Sequence, residues 1–309
     1  MLAIKTLAPK SVIFRRLVRL MGNQFEISVV GSDPSWADER INDAIAEITR
    51  VEKLLSTFSD DTPINAINRN AGIKPVKTNP EIFRLIDRSL KIAELTHGIF
   101  DITYYAEKGA DNFEANGTAT AVRKINSQNI VLDAKEQTIF LKEKGMRISF
   151  AANIKGYAAD RAKYVLQMQG VSSGVINAGG DLLTWGANPD NEPWTIATAD
   201  PAQKTQPFAE VEISNMAIAT SVNIGKQTAV INKKYSGMIN PKKGFPVSRI
   251  KSVSIISTCG EMADSMAGPV MAMGVNAGMY LINQLNQLAC IIIDDHDRVY
   301  TSKDVSIIN

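Results

Sequence analysis

The sequence predicts an α+β fold, a single compact domain in which helices pack on a mainly antiparallel sheet. Three observations support this prediction. Two helix-spaced apolar stripes begin at Asp33-Pro34 and at Asn79-Pro80, where a capping side chain precedes a proline. Short β-branched segments separated by turn residues fill positions 174–257. No internal repeat and no linker divides the 309 residues.

Each element is predicted from a local pattern, taken in chain order. The predicted strands are 25–30, a hairpin of 129–132 with 138–142, then 147–150 and 289–293. The predicted helices are 34–56, a segment from 80 to just before Gly98, 157–169, 261–273 and 275–285. Pro269 predicts a kink or an early end in the fourth helix. Positions 104–128 lose all periodicity and predict a long loop.

Composition excludes several classes of function. The hydrophobic share of 45% and the charged share of 21% are those of an ordinary globular protein. A net charge of +2, from 34 basic and 32 acidic residues, gives no overall attraction to nucleic acid. The chain lacks a run of 18 apolar residues, so we expect no membrane span. Cys259 and Cys290 fit neither a disulfide framework nor a metal knuckle.

The first twenty residues are basic, but they contain no apolar leader core, no cleavage site and no cysteine that could take a lipid. We therefore expect a cytoplasmic protein from the sequence as written. The alternative is a periplasmic or membrane-anchored protein whose leader was removed before this numbering begins. Residues 1–20 are predicted to form an N-terminal extension and residues 21–309 the domain.

The most informative motif is NAGGD at 177–181, which follows the apolar pair Val175-Ile176. Gly179 and Gly180 have no Cβ, so the backbone there can approach a ligand closely. Asp181 places a negative charge at the same rim. An isolated motif of this kind is also typical of a tight turn between two strands, and that alternative stays open on this motif alone.

Three further segments could support chemistry. Residues 151–157 (AANIKGY) lead into a helix N-terminus, where free N–H groups and Lys155 favour phosphate, although an ordinary strand-to-helix corner has the same pattern. Residues 235–246 read as a strand and a proline turn. Asp264 stands among apolar and small residues on a predicted helix. Such a carboxylate is either a hard oxygen ligand for Mg²⁺ or a solvent-facing residue, and taken singly the second is favoured.

In this order and spacing, the segments resemble the FAD:protein FMN transferase family, the ApbE-like flavin transferases, over about residues 21–299. The closest matches are KGYAAD at 155–160 and NAGGD at 177–181. The other segments that resemble family motifs are MG at 21–22, LSTF at 55–58, GIFD at 98–101, NPKKGFP at 240–246 and MADS at 262–265.

The resemblance implies an ApbE-like fold related to the T-fold, and Mg²⁺-dependent transfer of FMN from FAD to a threonine of an acceptor flavoprotein. It implies a metal site made by Asp264 and the backbone carbonyl near Ala152, with Asp264 and Lys155 as the catalytic candidates. The FAD-binding residues that it implies are Met21, Phe58, Phe100, Asp101, Lys155, Asn177, Gly179, Gly180 and Asp181.

The sequence also departs from the family pattern. Gly268 stands where the family has a threonine metal ligand, four residues after Asp264. Gly237 replaces a histidine and Asn240 an aspartate, so two groups suited to acid–base work are lost. Two alternatives follow: a catalytically impaired relative that binds FAD or another nucleotide without transfer, or a FAD pyrophosphatase.

Overall fold

The structure is a computed structural model that describes residues 11–105, 126–199, 207–223, 228–230, 233–235 and 250–303. The strands are β1 (Val12–Leu20), β2 (Asn23–Gly31), β3 (Val76–Lys77), β4 (Thr103–Tyr105), β5 (Ile130–Asp133), β6 (Thr138–Leu141), β7 (Met146–Ile148), β8 (Gly174–Ala178), β9 (Asp181–Trp185), β10 (Thr195–Ala199), β11 (Pro207–Glu212), β12 (Ala217–Val222), β13 (Thr228–Val230), β14 (Lys233–Tyr235), β15 (Ile250–Ser257), β16 (Leu288–Asp294) and β17 (Val299–Thr301). The helices are α1 (Pro34–Leu55), α2 (Pro63–Arg69), α3 (Pro80–Leu95), α4 (Ile154–Met168), α5 (Gly260–Met273) and α6 (Val275–Ile282).

The main sheet has eight strands among the described residues, in the order β1-β2-β8-β9-β12-β15-β16-β17. Every neighbouring pair in it is antiparallel. Smaller sheets, β3-β6-β5 and β4-β7, lie in the segment between α2 and α4. The prediction of an α+β fold with a mainly antiparallel sheet is confirmed.

Helices cover one face of the main sheet and enclose the core. α1 packs on β2, α4 on β8 and β9, and α5 on β12 and β15. Successive side chains of β2 point to opposite faces of the sheet, and Phe25, Ile27 and Val29, which share one face, are fully buried in the core. Burying each such side chain contributes about 1.5–3 kcal/mol. Within the described residues, no helix combines the length and the hydropathy that crossing a membrane requires.

Most predicted elements are confirmed, and their ends account for the errors. α4 begins at Ile154, three residues before the predicted start. An early end of α5 at Pro269 is wrong, since the helix continues to Met273. α6 ends at Ile282 and not at 285. A proline removes only one helical N–H, and the buried face of α5 outweighs that loss.

Several elements have no counterpart in the sequence prediction, among them α2 and β1 and the short strands β3, β4 and β17. α2 is capped by Thr62, whose hydroxyl accepts the Asn65 N–H at 3.2 Å. β1 pairs with β2 along its whole length, within the predicted N-terminal extension. The division into residues 1–20 and 21–309 stays a prediction. Of the predicted loop at 104–128, positions 106–125 lie outside the described residues.

Candidate active site

The glycine motif forms the turn between β8 and β9. Gly179 and Gly180 have φ angles of +69° and +106°, which side chains strongly disfavour. The Gly179 N–H donates to the Gln24 carbonyl at 2.9 Å, and the Gly180 N–H donates to Asn177 Oδ1 at 2.8 Å. Asn177 therefore stabilises the turn directly. A role for it in binding FAD stays a prediction.

The turn at Met21 lies beside this glycine turn. Met21 and Gly22 connect β1 to β2 with φ angles of +51° and +71°. The Asn23 side chain donates to the Met21 carbonyl at 2.8 Å. A Cβ placed on Gly179 would lie 3.2 Å from the Asn23 Cβ. Two sequence-distant family motifs thus form one rim at this end of the sheet.

Lys155 and Asp181 form an ion pair at the same rim, with 2.5 Å between Lys155 Nζ and Asp181 Oδ2. The other Asp181 oxygen accepts the Thr220 N–H at 3.2 Å. This hydrogen bond holds the carboxylate of Asp181, in β9, against the neighbouring strand β12. Burial acts against the charged ammonium, but the carboxylates of Asp181 and Asp264 outweigh it and raise the pKa of Lys155. Lys155 therefore stays charged at neutral pH.

Asp264 faces the N-terminus of α4, so the solvent-facing alternative is wrong. Its Oδ2 accepts the Gly156 N–H at 3.1 Å, and no described residue donates a hydrogen bond to its Oδ1. Burial, followed by repulsion from Asp181, raises the pKa of Asp264 to about 6, against the opposing influence of Lys155. A positive charge brought to Oδ1 would relieve this repulsion.

The first turn of α4 leaves backbone groups available. Gly156 donates to Asp264 instead of the Ala152 carbonyl, which accepts no backbone hydrogen bond from the described part of the chain. Within the same part, the Lys155 N–H also has no acceptor. Free N–H groups at a helix N-terminus favour a phosphate, and a free carbonyl oxygen is a ligand for a hard cation.

Known proteins show similarity to nearly the whole chain. The sequence profile of the ApbE family matches residues 21–292. The chain belongs to the ApbE family. A FAD:protein FMN transferase from Klebsiella pneumoniae (strain 342) is 23% identical over 291 residues, covering 90% of this chain and 83% of the relative. Another from Buchnera aphidicola is 26% identical over 255 residues, covering 78% and 75%.

Solved structures of ApbE proteins have the same fold. The ApbE protein from Thermotoga maritima superposes with a TM-score of 0.79 at 20% identity, covering 94% of this chain and 97% of that chain. The flavin transferase ApbE from Vibrio cholerae has a TM-score of 0.79 at 22% identity, covering 95% and 98%. The sequence profile confirms the predicted resemblance to the ApbE family, and these structures confirm the ApbE-like fold.

Three further residues that the ApbE resemblance implies for FAD binding are Phe58, Phe100 and Asp101. Phe58 is fully exposed, whereas Phe100 is buried with 4% exposed. The Asp101 carboxylate accepts the Thr103 and Ser127 N–H groups at 2.8 and 3.0 Å. Among the described residues, no hydrogen bond or ion pair joins these three to Lys155 or Asp264. Their roles stay predictions.

The sequence prediction missed two asparagines of α2 that organise this part of the ApbE fold. Asn65 Nδ2 donates to the carbonyls of Thr57 and Ser59 at 2.9 and 2.7 Å, which holds the turn that carries Phe58. Asn68 exchanges two hydrogen bonds with the Ile148 backbone, at 3.1 and 2.8 Å. α2 thus links the Phe58 turn to β7, which leads into Ala152. The Thr62-Pro63 pair was the available signal, because it matches the other helix starts.

One departure from the ApbE pattern, Gly268, lies among the described residues. Gly268 lies in α5, one turn after Asp264, and a Cβ placed on it would meet no described atom within 4 Å beyond the neighbouring backbone of its own helix. Space for a ligating side chain is therefore present and unused. Gly237 and Asn240, the other two departures, lie outside the described residues.

A separate group of metal-ligating residue types lies at the end of β16 and just after it, at Asp294, Asp295 and His296. Asp294 already accepts hydrogen bonds from the His296 and Arg298 N–H groups, the Arg298 guanidinium and the Tyr300 hydroxyl. These four donors hold the turn between β16 and β17. The group therefore needs no ion to explain it.

Proposed function

We propose that this ApbE-family chain transfers FMN from FAD to a threonine hydroxyl of an acceptor flavoprotein, with Mg²⁺ bound at Asp264. The observation that supports the proposal best is the convergence of Lys155, Asp181 and Asp264 at the N-terminus of α4, beside the glycine turn. The names of the Klebsiella and Buchnera relatives supply the two substrates. The threonine and the metal are inferred from the family resemblance.

The donor set near Asp264 fits a hard divalent cation. Asp264 offers a carboxylate oxygen without a hydrogen-bond donor among the described residues. The Ala152 carbonyl lies just before α4, the helix whose N-terminus Asp264 faces. Mg²⁺ is usually held by one or two carboxylates together with waters and substrate phosphates. A single carboxylate and one carbonyl meet that requirement, although Gly268 removes a further protein ligand.

The reaction exchanges one phosphorus–oxygen bond for another. The threonine oxygen bonds to the phosphorus on the FMN side of the pyrophosphate, the bond to the AMP phosphate breaks, and AMP leaves with the electron pair. A base must take the threonine proton. A bound cation would neutralise charge on the phosphate oxygens.

The chain's own groups would hold the pyrophosphate in place for this exchange. The Lys155 ammonium carries positive charge to the rim, while the Lys155 N–H, which has no acceptor among the described residues, can donate to a phosphate oxygen. Asp181 fixes the direction of the ammonium through its 2.5 Å contact. The tight Gly179-Gly180 turn allows the nucleotide to approach the backbone.

A relative that binds FAD without transfer is the second candidate, and Gly268 favours it. This position offers no side-chain oxygen, so the cation would be held more weakly than by a threonine at the same site. A FAD pyrophosphatase, which would release FMN and AMP into solution, is the remaining alternative. The three candidates differ in where FMN is found after incubation: on the acceptor protein, within intact FAD, or free in solution.

One experiment separates the three candidates. The chain is incubated with FAD, Mg²⁺ and an acceptor flavoprotein domain, and the acceptor mass and free AMP are measured. If the chain transfers FMN, the acceptor gains one FMN for each AMP released. An acceptor whose threonine is replaced by valine stays unmodified. Free FMN with AMP would indicate the pyrophosphatase, and FAD binding without AMP the non-catalytic relative.

Asp264→Asn tests the residue that the proposal depends on. Asparagine keeps an oxygen for the Gly156 N–H but loses the charge, so we expect the rate to fall about 100-fold or more. Asp33→Asn is the matched control, because Asp33 caps α1 through the Trp36 N–H at the opposite end of β2. An Asp264→Asn protein as active as the control would remove Asp264 from the proposed site.

A further inference from the structure

Two pentapeptides with the same Gly-x-x-Ala-Asp pattern meet in the core. They are GYAAD at 156–160 in α4 and GEMAD at 260–264 in α5. Asp264 Oδ2 accepts the Gly156 N–H at 3.1 Å, and Asp160 Oδ1 accepts the Gly260 N–H at 2.8 Å. Each aspartate therefore caps the first turn of the other helix.

Neither helix is capped by its own residue. Asn153 and Cys259 occupy the N-cap positions of α4 and α5, and neither makes a side-chain capping hydrogen bond. The four N-terminal N–H groups of a helix require acceptors when they are buried. The exchange of aspartates meets part of this requirement in both helices, so the start of one helix is fixed relative to the other.

The two aspartates differ in how many oxygens they use. Asp160 Oδ2 accepts the Glu261 N–H at 2.8 Å, so both of its oxygens are occupied. Asp264 uses only Oδ2 among the described residues. The Glu261 side chain is held in turn by Arg88, with 2.9 Å from Nε to each carboxylate oxygen. The start of α5 is thus held by two independent charged contacts.

We propose that Asp160 is a positioning residue that sets the location of the Asp264 carboxylate. Asp160 fixes the Gly260 and Glu261 backbone, and Asp264 follows one helical turn later, about 5.4 Å along α5. Displacing the start of α5 would move Asp264 away from the Gly156 N–H. It would also move Oδ1, the carboxylate oxygen proposed to bind the cation. The link to a cation depends on the proposed function, whereas the link between the two aspartates does not.

Asp160→Asn tests the proposal with two measurements. Asparagine has one side-chain oxygen for two N–H groups, so the start of α5 loses one anchor. We expect amide hydrogen exchange at Gly156 to accelerate about tenfold or more, because its acceptor Asp264 is displaced. We also expect Mn²⁺, used as the paramagnetic probe of the cation site, to bind about fivefold or more weakly.

Asp33→Ala is the matched control for lost capping. It removes a cap of comparable kind from α1, whose Trp36 N–H donates to Asp33 at 2.9 Å. Its exchange rate at Gly156 and its Mn²⁺ affinity should remain within about twofold of the parent protein once global unfolding is accounted for. Equal effects in Asp160→Asn and Asp33→Ala would overturn the positioning role.

Gly260→Ala provides a second test if Asp160→Asn does not fold. A Cβ on Gly260 would lie 2.8 Å from the Gly156 carbonyl oxygen. The substitution therefore displaces α5 relative to α4 without changing any charge. Gly268→Ala is its control in the same helix, since a Cβ there meets no described atom within 4 Å outside that helix's own backbone. Faster amide exchange at Gly156 in Gly260→Ala, but not in Gly268→Ala, supports the proposal. Unchanged exchange in both variants overturns it. Absence of Mn²⁺ binding in the parent protein would instead reject the cation of the proposed function.

Discussion

Gly156 and Gly260 hold the first turns of α4 and α5 in direct backbone contact. A Cβ on Gly260 would lie 2.8 Å from the Gly156 carbonyl oxygen. A Cβ on Gly156 would overlap the Gly260 carbonyl and would lie 2.9 Å from the Asp264 Cβ. Because neither residue has a side chain, the helices approach closely enough for Asp264 to reach the Gly156 N–H.

Gly156→Ala should destabilise the protein. The added methyl has no space, so the helices must separate, and we expect a loss of about 1–3 kcal/mol in the free energy of unfolding. Urea denaturation measures this loss. Gly268→Ala is the control in open space and should be neutral or stabilising by up to about 1 kcal/mol. Equal stabilities for the two variants would show that the glycine contact is not tight in solution.

Gly268→Thr should strengthen cation binding. Position 268 lies one turn after Asp264 with room for a side chain, so the threonine hydroxyl can supply a further oxygen ligand. We expect the Mn²⁺ dissociation constant to fall about tenfold, as measured by electron paramagnetic resonance. Gly268→Val has the same shape without the hydroxyl and should leave that constant unchanged. A similar gain in both variants would point to packing as its source.

Cation binding should depend on pH with a midpoint near the Asp264 pKa of about 6. Below that pH the carboxyl is protonated and a cation must displace the proton, so affinity should fall about tenfold per pH unit. Above it the carboxylate is charged and affinity should level off. Asp181→Asn removes a charge that raises the pKa of Asp264, so the midpoint should move to lower pH. A midpoint that moves upward in Mn²⁺ titrations would contradict this coupling.

Phe58→Ser should separate stability from FAD binding. Phe58 is fully exposed, so the free energy of unfolding should change by less than about 0.5 kcal/mol. If Phe58 lines the FAD site, as the family resemblance implies, and its ring stacks on the flavin or adenine, the FAD dissociation constant should rise about tenfold. Tyr164→Ser is the control, because this aromatic side chain on α4 is 51% exposed and contacts Arg161. Unchanged FAD affinity in Phe58→Ser would remove Phe58 from the binding site.

The sequence was most informative where local chemistry alone decides structure. Asp33, Thr62 and Asn79 each precede a proline and each caps a helix through its side chain. The second was missed because α2 is only 7 residues long, too short for its apolar spacing to show. β1 was missed because Arg15, Arg16 and Arg19 interrupt its apolar residues, as charged side chains often do in a strand at the edge of a sheet.

By itself, the sequence determined the fold class and the family motifs, including the glycine turn at 179–180. Those features depend on spacing, propensity and backbone freedom, which are properties of neighbouring residues. Only the tertiary structure decided that Asp264 faces α4 and that Asp160 caps α5, across a separation of 100 residues. A carboxylate has the same local signature in solvent as in a core. Its role is set by whichever N–H groups and charges the packed helices bring to it.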